Sequence, residues 1–284
     1  MRTQLVIPYL IILPLIAIAS TSCNLDGSSL DRQGGVELTM QLKPTKQHPQ
    51  ISEADRTQVR RVIEGRVNSL GVRGADVKSI DNNRILVQLP GVKDARQAQR
   101  ILGGTARLEF REQKVGTDGQ LGAELAVLNA AKEQRTILKQ SQAPDKQAIL
   151  ENQATIEQQY TEIGKLFSKA ALSGGNLRDA APQPVGAGGW EIAIEFDDVG
   201  SEAFANLTKN LAGTGRSIGV FIDNDPISTP TVSATFAATG ITGGKAVITG
   251  NFTTETANDL AIQLRSGSLP VPVEVIENRT IKPK

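Results

Sequence analysis

The sequence predicts an α+β protein: two ferredoxin-like halves, each of order β-α-β-β-α-β, forming a base, with a helical-hairpin head inserted between them and a hydrophobic segment in front. Three observations predict it. Short apolar/polar alternations flank amphipathic stretches in the same order on both sides of the chain. The middle of the chain shifts to Ala, Gln, Glu and Lys. Residues 5–20 carry no ionisable group except Tyr9. The expected division is 1–23 signal, lipobox or anchor, 24–35 linker, 36–116 first half, 117–189 head, and 190–284 second half.

A spanning helix needs about 20 apolar residues and a signal core about 7–15. Pro8 and Pro14 further weaken a straight helix. The run ends in Ala19-Ser20-Thr21-Ser22-Cys23, which resembles the lipobox of bacterial lipoproteins, with Ser20 where leucine is usual. Two readings stay open: cleavage with lipidation of Cys23, or an uncleaved anchor helix. Both put residue 24 onward outside the cytoplasm.

In the first half, residues 36–43 place Val36, Leu38, Met40 and Leu42 at the two-residue period of a strand. Ser52, followed by Glu53 and Asp55, is a helix N-cap with acids in the first turn. Val59, Val62, Ile63, Val67 and Leu70 form the helix stripe, and Gly71 stops it. Residues 75–80 and 84–89 flank the turn formers Asp81, Asn82 and Asn83 as a hairpin. A short helix over 93–102 and a closing strand over 106–112 complete the half. The second half repeats the logic: strand 190–196, helix 200–212, strand 217–222, a turn at Asp223-Asn224-Asp225-Pro226, strand 246–249, a helix capped by Thr253, and a last strand 271–281. Between them, Leu121, Leu125, Leu128 and Leu138 line one helix, and Ile149, Ile156, Tyr160, Ile163 and Phe167 line another. Pro144 marks the turn of an antiparallel hairpin.

Composition narrows the function. There are 31 Lys+Arg against 30 Asp+Glu, so no general charge excess points to nucleic acid. One Cys and one His exclude a disulfide framework and any zinc site made of Cys and His alone. His48 stands in a polar loop and is expected as a surface histidine. Asp197-Asp198, Asp223 and Asp225 fit no EF-hand spacing, Gly213-Thr214-Gly215 follows a helix rather than opening one, and no lysine-bearing P-loop is present. No catalytic, cofactor or metal site is expected.

Several stretches then resemble the first periplasmic domain of the SecD family. They are Arg66-Val67-Asn68-Ser69-Leu70-Gly71-Val72, Ile85-Leu86-Val87-Gln88-Leu89-Pro90-Gly91-Val92 and Gly103-Gly104-Thr105-Ala106-Arg107-Leu108-Glu109-Phe110 in the first half. In the second half they are Phe204-Ala205-Asn206-Leu207-Thr208, Ile227-Ser228-Thr229-Pro230-Thr231-Val232, Ile248-Thr249-Gly250-Asn251-Phe252 and Leu264-Arg265-Ser266-Gly267-Ser268-Leu269-Pro270-Val271-Pro272-Val273. The order is the family's, the match covers most of 30–280, and the Gln-rich insertion most resembles cyanobacterial members.

The resemblance implies an accessory subunit of the Sec preprotein translocase, working with SecF on the outer side of the membrane and driven by the proton-motive force. It implies SecF-like and SecYEG-like translocon partners, unfolded preprotein substrates and membrane attachment through the N-terminus, with no nucleic acid. The implied place is the bacterial inner membrane, plasma or thylakoid, with the domain facing periplasm or lumen. The insertion becomes the mobile, substrate-contacting head, with Tyr160, Ile163 and Phe167 as its expected contact residues; the same stripe reads equally as a coiled-coil spacer. Two departures bear on this. Leu30-Asp31-Arg32-Gln33-Gly34-Gly35 stands where the family has Leu-Asp-Leu-Arg-Gly-Gly. After Ile281 a SecD continues into further membrane helices that hold proton-coupling charges, whereas this sequence stops at Lys284. The expectation is a domain that grips polypeptide without converting proton-motive force by itself. A fragment of a longer SecD and an envelope lipoprotein outside the Sec pathway stay open as alternatives.

Overall fold

The computed structural model describes residues 29–283 apart from 47, 82, 142 and 187. Among them the order is α1 (Ser29–Gln33), β1 (Gly35–Leu42), α2 (Glu53–Ser69), β2 (Asp76–Ser79), β3 (Arg84–Pro90), α3 (Ala95–Gly103), β4 (Leu108–Gln113), α4 (Asp118–Gln140), α5 (Lys146–Lys165), β5 (Phe167–Ser173), β6 (Leu177–Val185), β7 (Gly189–Phe196), α6 (Asp198–Leu211), β8 (Ile218–Ile222), β9 (Asp225–Ser228), β10 (Lys245–Phe252), α7 (Thr254–Ser266) and β11 (Val273–Ile281). The mixed helix-and-sheet class is the one the alternations predict.

The helix boundaries follow local chemistry. Ser52 accepts the Asp55 amide while Asp55 accepts the Ser52 amide, a capping box that fixes the start of α2. Asp94 caps α3, and Thr253 caps α7 with Thr256. α2 buries Val59, Val62, Ile63 and Val67 against Val36, Leu38, Met40 and Leu42 of β1 and Ile85, Val87 and Leu89 of β3. This smaller lobe is one antiparallel sheet of order β11-β1-β3-β2, with α2 and α3 on one face.

Its edge strand is the first correction. Residues 106–112 were expected to close the first half, but β4 pairs with β5 and β8 in another sheet, and β11 from the far end of the chain pairs with β1. The backbone at Ala106 explains the departure. Its φ is +51°, and the Asp223 carboxylate accepts the amides of Ala106 (3.1 Å) and Arg107 (2.9 Å), so the chain is turned away from β1 before β4 begins.

The second expected half is also redistributed. β7 and β10 join β6 in a three-stranded sheet, β8 lies in the four-stranded sheet β5-β4-β8-β9, and β11 belongs to the smaller lobe. The two sheets share one core with α6 and α7, centred on Phe110, Phe196 and Phe204, whose ring centroids are 5.1–6.0 Å apart. The helical insertion ends at Lys165, so β5 and β6 are strands within the 117–189 segment. Pro182 and Pro184 are accommodated because β6 is an edge strand.

The α4–α5 hairpin is present as predicted. It packs on the face of the four-stranded sheet opposite the larger core, through Leu121, Leu128, Ile156, Ile163 and Leu166 against Phe167 and Phe221. No helix among the described residues is long and apolar enough to cross a membrane.

Candidate polypeptide-contact site

The root of the hairpin is built by a few residues with distinct tasks. Phe167 opens β5 opposite Gln113 and meets Phe221 edge to face at 5.1 Å. Gly219 leaves room for that pair: a Cβ there would lie 2.6 Å from the Phe167 ring and would also strike Phe221. The Arg111 guanidinium lies over the Phe221 ring, 4.3 Å from its centroid, a cation–π contact. Lys114 caps the end of α5, its amide donating to Leu166 O (2.8 Å) and its Nζ to Lys165 O (2.6 Å).

Of the three predicted contact residues, two are consumed by packing. Ile163 is fully buried and Phe167 is 3% exposed and lies on a strand, so neither presents a surface to a partner. The helical period carried the stripe one residue too far, because Leu166 already caps the helix. Tyr160 is half-buried and lines a groove of ≈ 490 Å³ between α5 and the β8–β9 turn, with Arg111, Glu157, Thr161, Gly164, Lys165, Asp223 and Asn224. Burial, and then the adjacent Asp225 carboxylate, push the Tyr160 phenol well above its ordinary range. Lys132 reaches Asp225 at 2.6 Å and stands 5.5 Å from the Tyr160 ring centroid, tying α4, α5 and β9 together. The groove thus offers one aromatic ring, a kept-neutral hydroxyl, charges of both signs and an exposed turn.

Sequence reasoning missed Thr161, Arg111 and Asn224 because a groove between a helix and a distant turn leaves no local spacing. It also missed Ile137 and Leu150, which are 56% and 64% exposed on the half of the hairpin away from its root. Their signal was present: both fall off the buried stripe.

His48 is 3.0 Å from Asp55, and Ser52 Oγ donates to the same carboxylate at 2.6 Å. This is not a relay. Both groups contact one carboxylate, so the imidazole does not lie between hydroxyl and acid. The Ser52 hydrogen bonds hold the Asp55 carboxyl below its ordinary value, opposed by burial and helped by His48. Cys23 lies outside the described residues.

Three of the family-like stretches meet at Arg66, which has no exposed surface. Its guanidinium donates to Ile101 O (3.0 Å), Leu102 O (2.9 Å) and Gly104 O (2.5 Å) at the end of α3, and to Gly267 O (3.3 Å) just beyond α7. Burial pushes its pKa down to about 10, so it remains a cation at neutral pH and faces the negative ends of two helices. The two chain crossings between the lobes, one through residues 104–107 and the other through 267–272, run side by side, with the Leu269 amide donating to Thr105 O at 3.0 Å. Arg100 adds ion pairs to Glu255 and, at 2.9 Å, to Asp259 of α7.

The chain thus comprises two lobes joined by paired crossings, one built on the sheet β11-β1-β3-β2 and the other bearing the α4–α5 hairpin. The family model described as "Protein translocase subunit SecDF, P1 domain, N-terminal" matches residues 56–115, and "SecDF, P1 head subdomain" matches 147–271. Over these residues the chain belongs to the SecD P1 domain family. The protein translocase subunit SecD of a Synechocystis species is 51% identical over 89% of this chain and 54% of its own length. That of Prochlorococcus marinus is 33% identical over 89% of this chain and 57% of its own. The chain therefore spans about half the length of the curated relatives it matches. A solved SecDF chain in a super-membrane-facing form superposes with TM-score 0.63 at 26% identity, covering 88% of this chain and 30% of that one. A second, from work on a membrane component SecDF that enhances protein export, gives TM-score 0.60 at 26% identity over 86% of this chain and all of its own. The family head at 147–271 begins at the start of α5, leaving α4 outside, and extends past the 117–189 insertion to take in β7, α6, β8, β9, β10 and α7.

Proposed function

We propose that this chain is the extracytoplasmic domain of an accessory subunit of the Sec preprotein translocase, and that its larger lobe holds translocating polypeptide along the groove beside Tyr160. The observation that carries this reading is the match of two P1 family models in order along the chain, beside a solved relative described as enhancing protein export. In this reading the smaller lobe is the base, and the larger lobe with its hairpin is the head. SecF-like and SecYEG-like subunits are the partners. Weak contacts suffice because a tethered head near a channel works at high local concentration. The N-terminus attaches the domain to the inner membrane, either through acylated Cys23 or as an uncleaved helix, and the mass of the N-terminal peptide distinguishes the two. No catalytic step belongs to this reading.

Photo-crosslinkers at positions 160 and 161 are expected to label secretory precursors during export, whereas one at the buried position 163 is not. Absence of both precursors and Sec subunits from the products at 160 and 161 would overturn the assignment. Recovery of envelope proteins alone would favour a module outside the pathway, a reading the similarities do not favour.

A further inference from the structure

Both described ends of the chain emerge at one end of the smaller lobe. A Cβ on Gly34, next to α1, would lie 2.7 Å from Ile281 O and from the Pro283 ring, and the Gly91 amide donates to Gly34 O at 2.9 Å. On the other flank of α1, a Cβ on Gly74 would lie 2.8 Å from Ser29 Oγ. Four cations stand within two residues of these contacts: Arg32, Arg73, Lys93 and Lys282. All four are exposed, and none has a hydrogen-bond or ion-pair partner among the described residues. Elsewhere Arg56, Arg60, Arg84, Arg100 and Arg178 are paired, and the unpaired cations of the larger lobe, such as Lys139, Lys146, Lys169 and Lys209, stand away from the chain ends. The acids at this end are engaged: Asp94 caps α3, Asp76 pairs with Lys78, and Asp31 has a partner.

We propose that this end of the smaller lobe seats on a bilayer surface of anionic lipid headgroups through Arg32, Arg73, Lys93 and Lys282. The inference rests on the reading that the N-terminus is attached to a membrane. Only residues 21–28 separate Ser29 from the hydrophobic stretch 5–20, a span of roughly 30 Å at full extension. Unpaired cations at the surface lose no internal partner on docking, and each is worth roughly fivefold in partition near an anionic leaflet. The seat would fix the orientation of the head, because two side-by-side crossings and the Arg66 contacts hold the lobes together.

The test uses the full chain reconstituted in nanodiscs of phosphatidylcholine alone or with phosphatidylglycerol, read by amide hydrogen exchange. Peptides covering 29–34, 72–75 and 91–94 are expected to exchange about fivefold more slowly, or slower still, with phosphatidylglycerol, and the slowing is expected to vanish in high salt. The variant Arg32→Glu/Arg73→Glu/Lys93→Glu/Lys282→Glu is expected to abolish it, whereas Lys139→Glu/Lys146→Glu/Lys169→Glu/Lys209→Glu on the other lobe is not. Equal exchange in both lipids overturns the inference while leaving membrane attachment intact. Failure of the chain to enter either disc overturns attachment itself. Equal slowing by inorganic phosphate in phosphatidylcholine discs would assign the cations to a soluble anion and also overturn it.

Discussion

Replacing Arg66 by Met is the sharpest available perturbation of how the lobes are joined. The guanidinium makes three hydrogen bonds of 2.5–3.0 Å to the end of α3 and a longer one to Gly267. Charged hydrogen bonds contribute about 1.5–3 kcal/mol each, so the three good ones give roughly 4–9 kcal/mol gross. Against this stands the cost of burying the charge. Burial draws the Arg66 pKa down to about 10, which corresponds to about 3 kcal/mol. The net expected loss for Arg66→Met is roughly 1–6 kcal/mol, about 3–4 at its centre, which overlaps the roughly 3–5 kcal/mol lost when one partner of a buried charged pair is removed. For a domain of this size that lowers Tm by roughly 10 °C. Arg66→Lys, with one compact ammonium in place of a fork, is expected to fall between the two. The exposed Arg60→Met is the control and is expected within about 0.5 kcal/mol of the parent. Urea and thermal unfolding of the four proteins read the series. An Arg66→Met variant within about 1 kcal/mol of the parent would refute the reasoning, since the helix ends would then be adequately solvated without the cation.

Gly219→Ala is expected to lift the hairpin root by forcing Phe167 and Phe221 apart, at a cost of about 1–3 kcal/mol, seen as faster hydrogen exchange in α4 and α5 with little change in α2. The Tyr160 phenol holds its proton more tightly when folded than its ordinary value of 10.0. Stability from this group is therefore complete below pH 10 and is lost as pH rises past it, because the unfolded chain ionises first. Tyr160→Phe is expected to flatten that alkaline slope, and phenolate absorbance from Tyr160 is expected to appear only with unfolding. Asp55 has the opposite sign: its folded pKa lies below 3.8, so its contribution is present above that pH and falls away below it. Ser52→Ala is expected to cost about 1 kcal/mol at neutral pH and to weaken the acid dependence, measured by urea unfolding from pH 7 to 3.

The helices and their ends were legible because their causes are local. Ser52, Thr253 and Gly71 act within a turn of where they stand, and the stripe Val59-Val62-Ile63-Val67 is the face that α2 buries. The identity of β1–β4, β7, β8, β10 and β11 was legible for the same reason; strand pairing was not. Alternation at β4 shows that Leu108 and Phe110 share a buried face, but it does not say whether β1 or β8 lies alongside. That choice depends on Ala106 at positive φ and on Asp223, more than a hundred residues away. β6 was hidden by Pro182 and Pro184, and β5 by a helical period running past its cap. The groove at Tyr160 was half legible: the ring was singled out, but its neighbours across the groove come from β4 and the β8–β9 turn.

β11 carries a consequence for how the molecule is made. The lobe that starts first along the chain lacks its outer strand until residues 273–281 leave the ribosome. Closing the stretch 104–272 as an unstructured loop would cost about 4–5 kcal/mol. With the larger lobe already folded, its two exits stand together at Thr105 and Leu269, and that penalty shrinks to a short gap. The cheaper order is inside out: a larger lobe that folds first brings β11 to a three-stranded sheet whose β1 edge is bare until then, and a bare edge is one that stray chains can pair with.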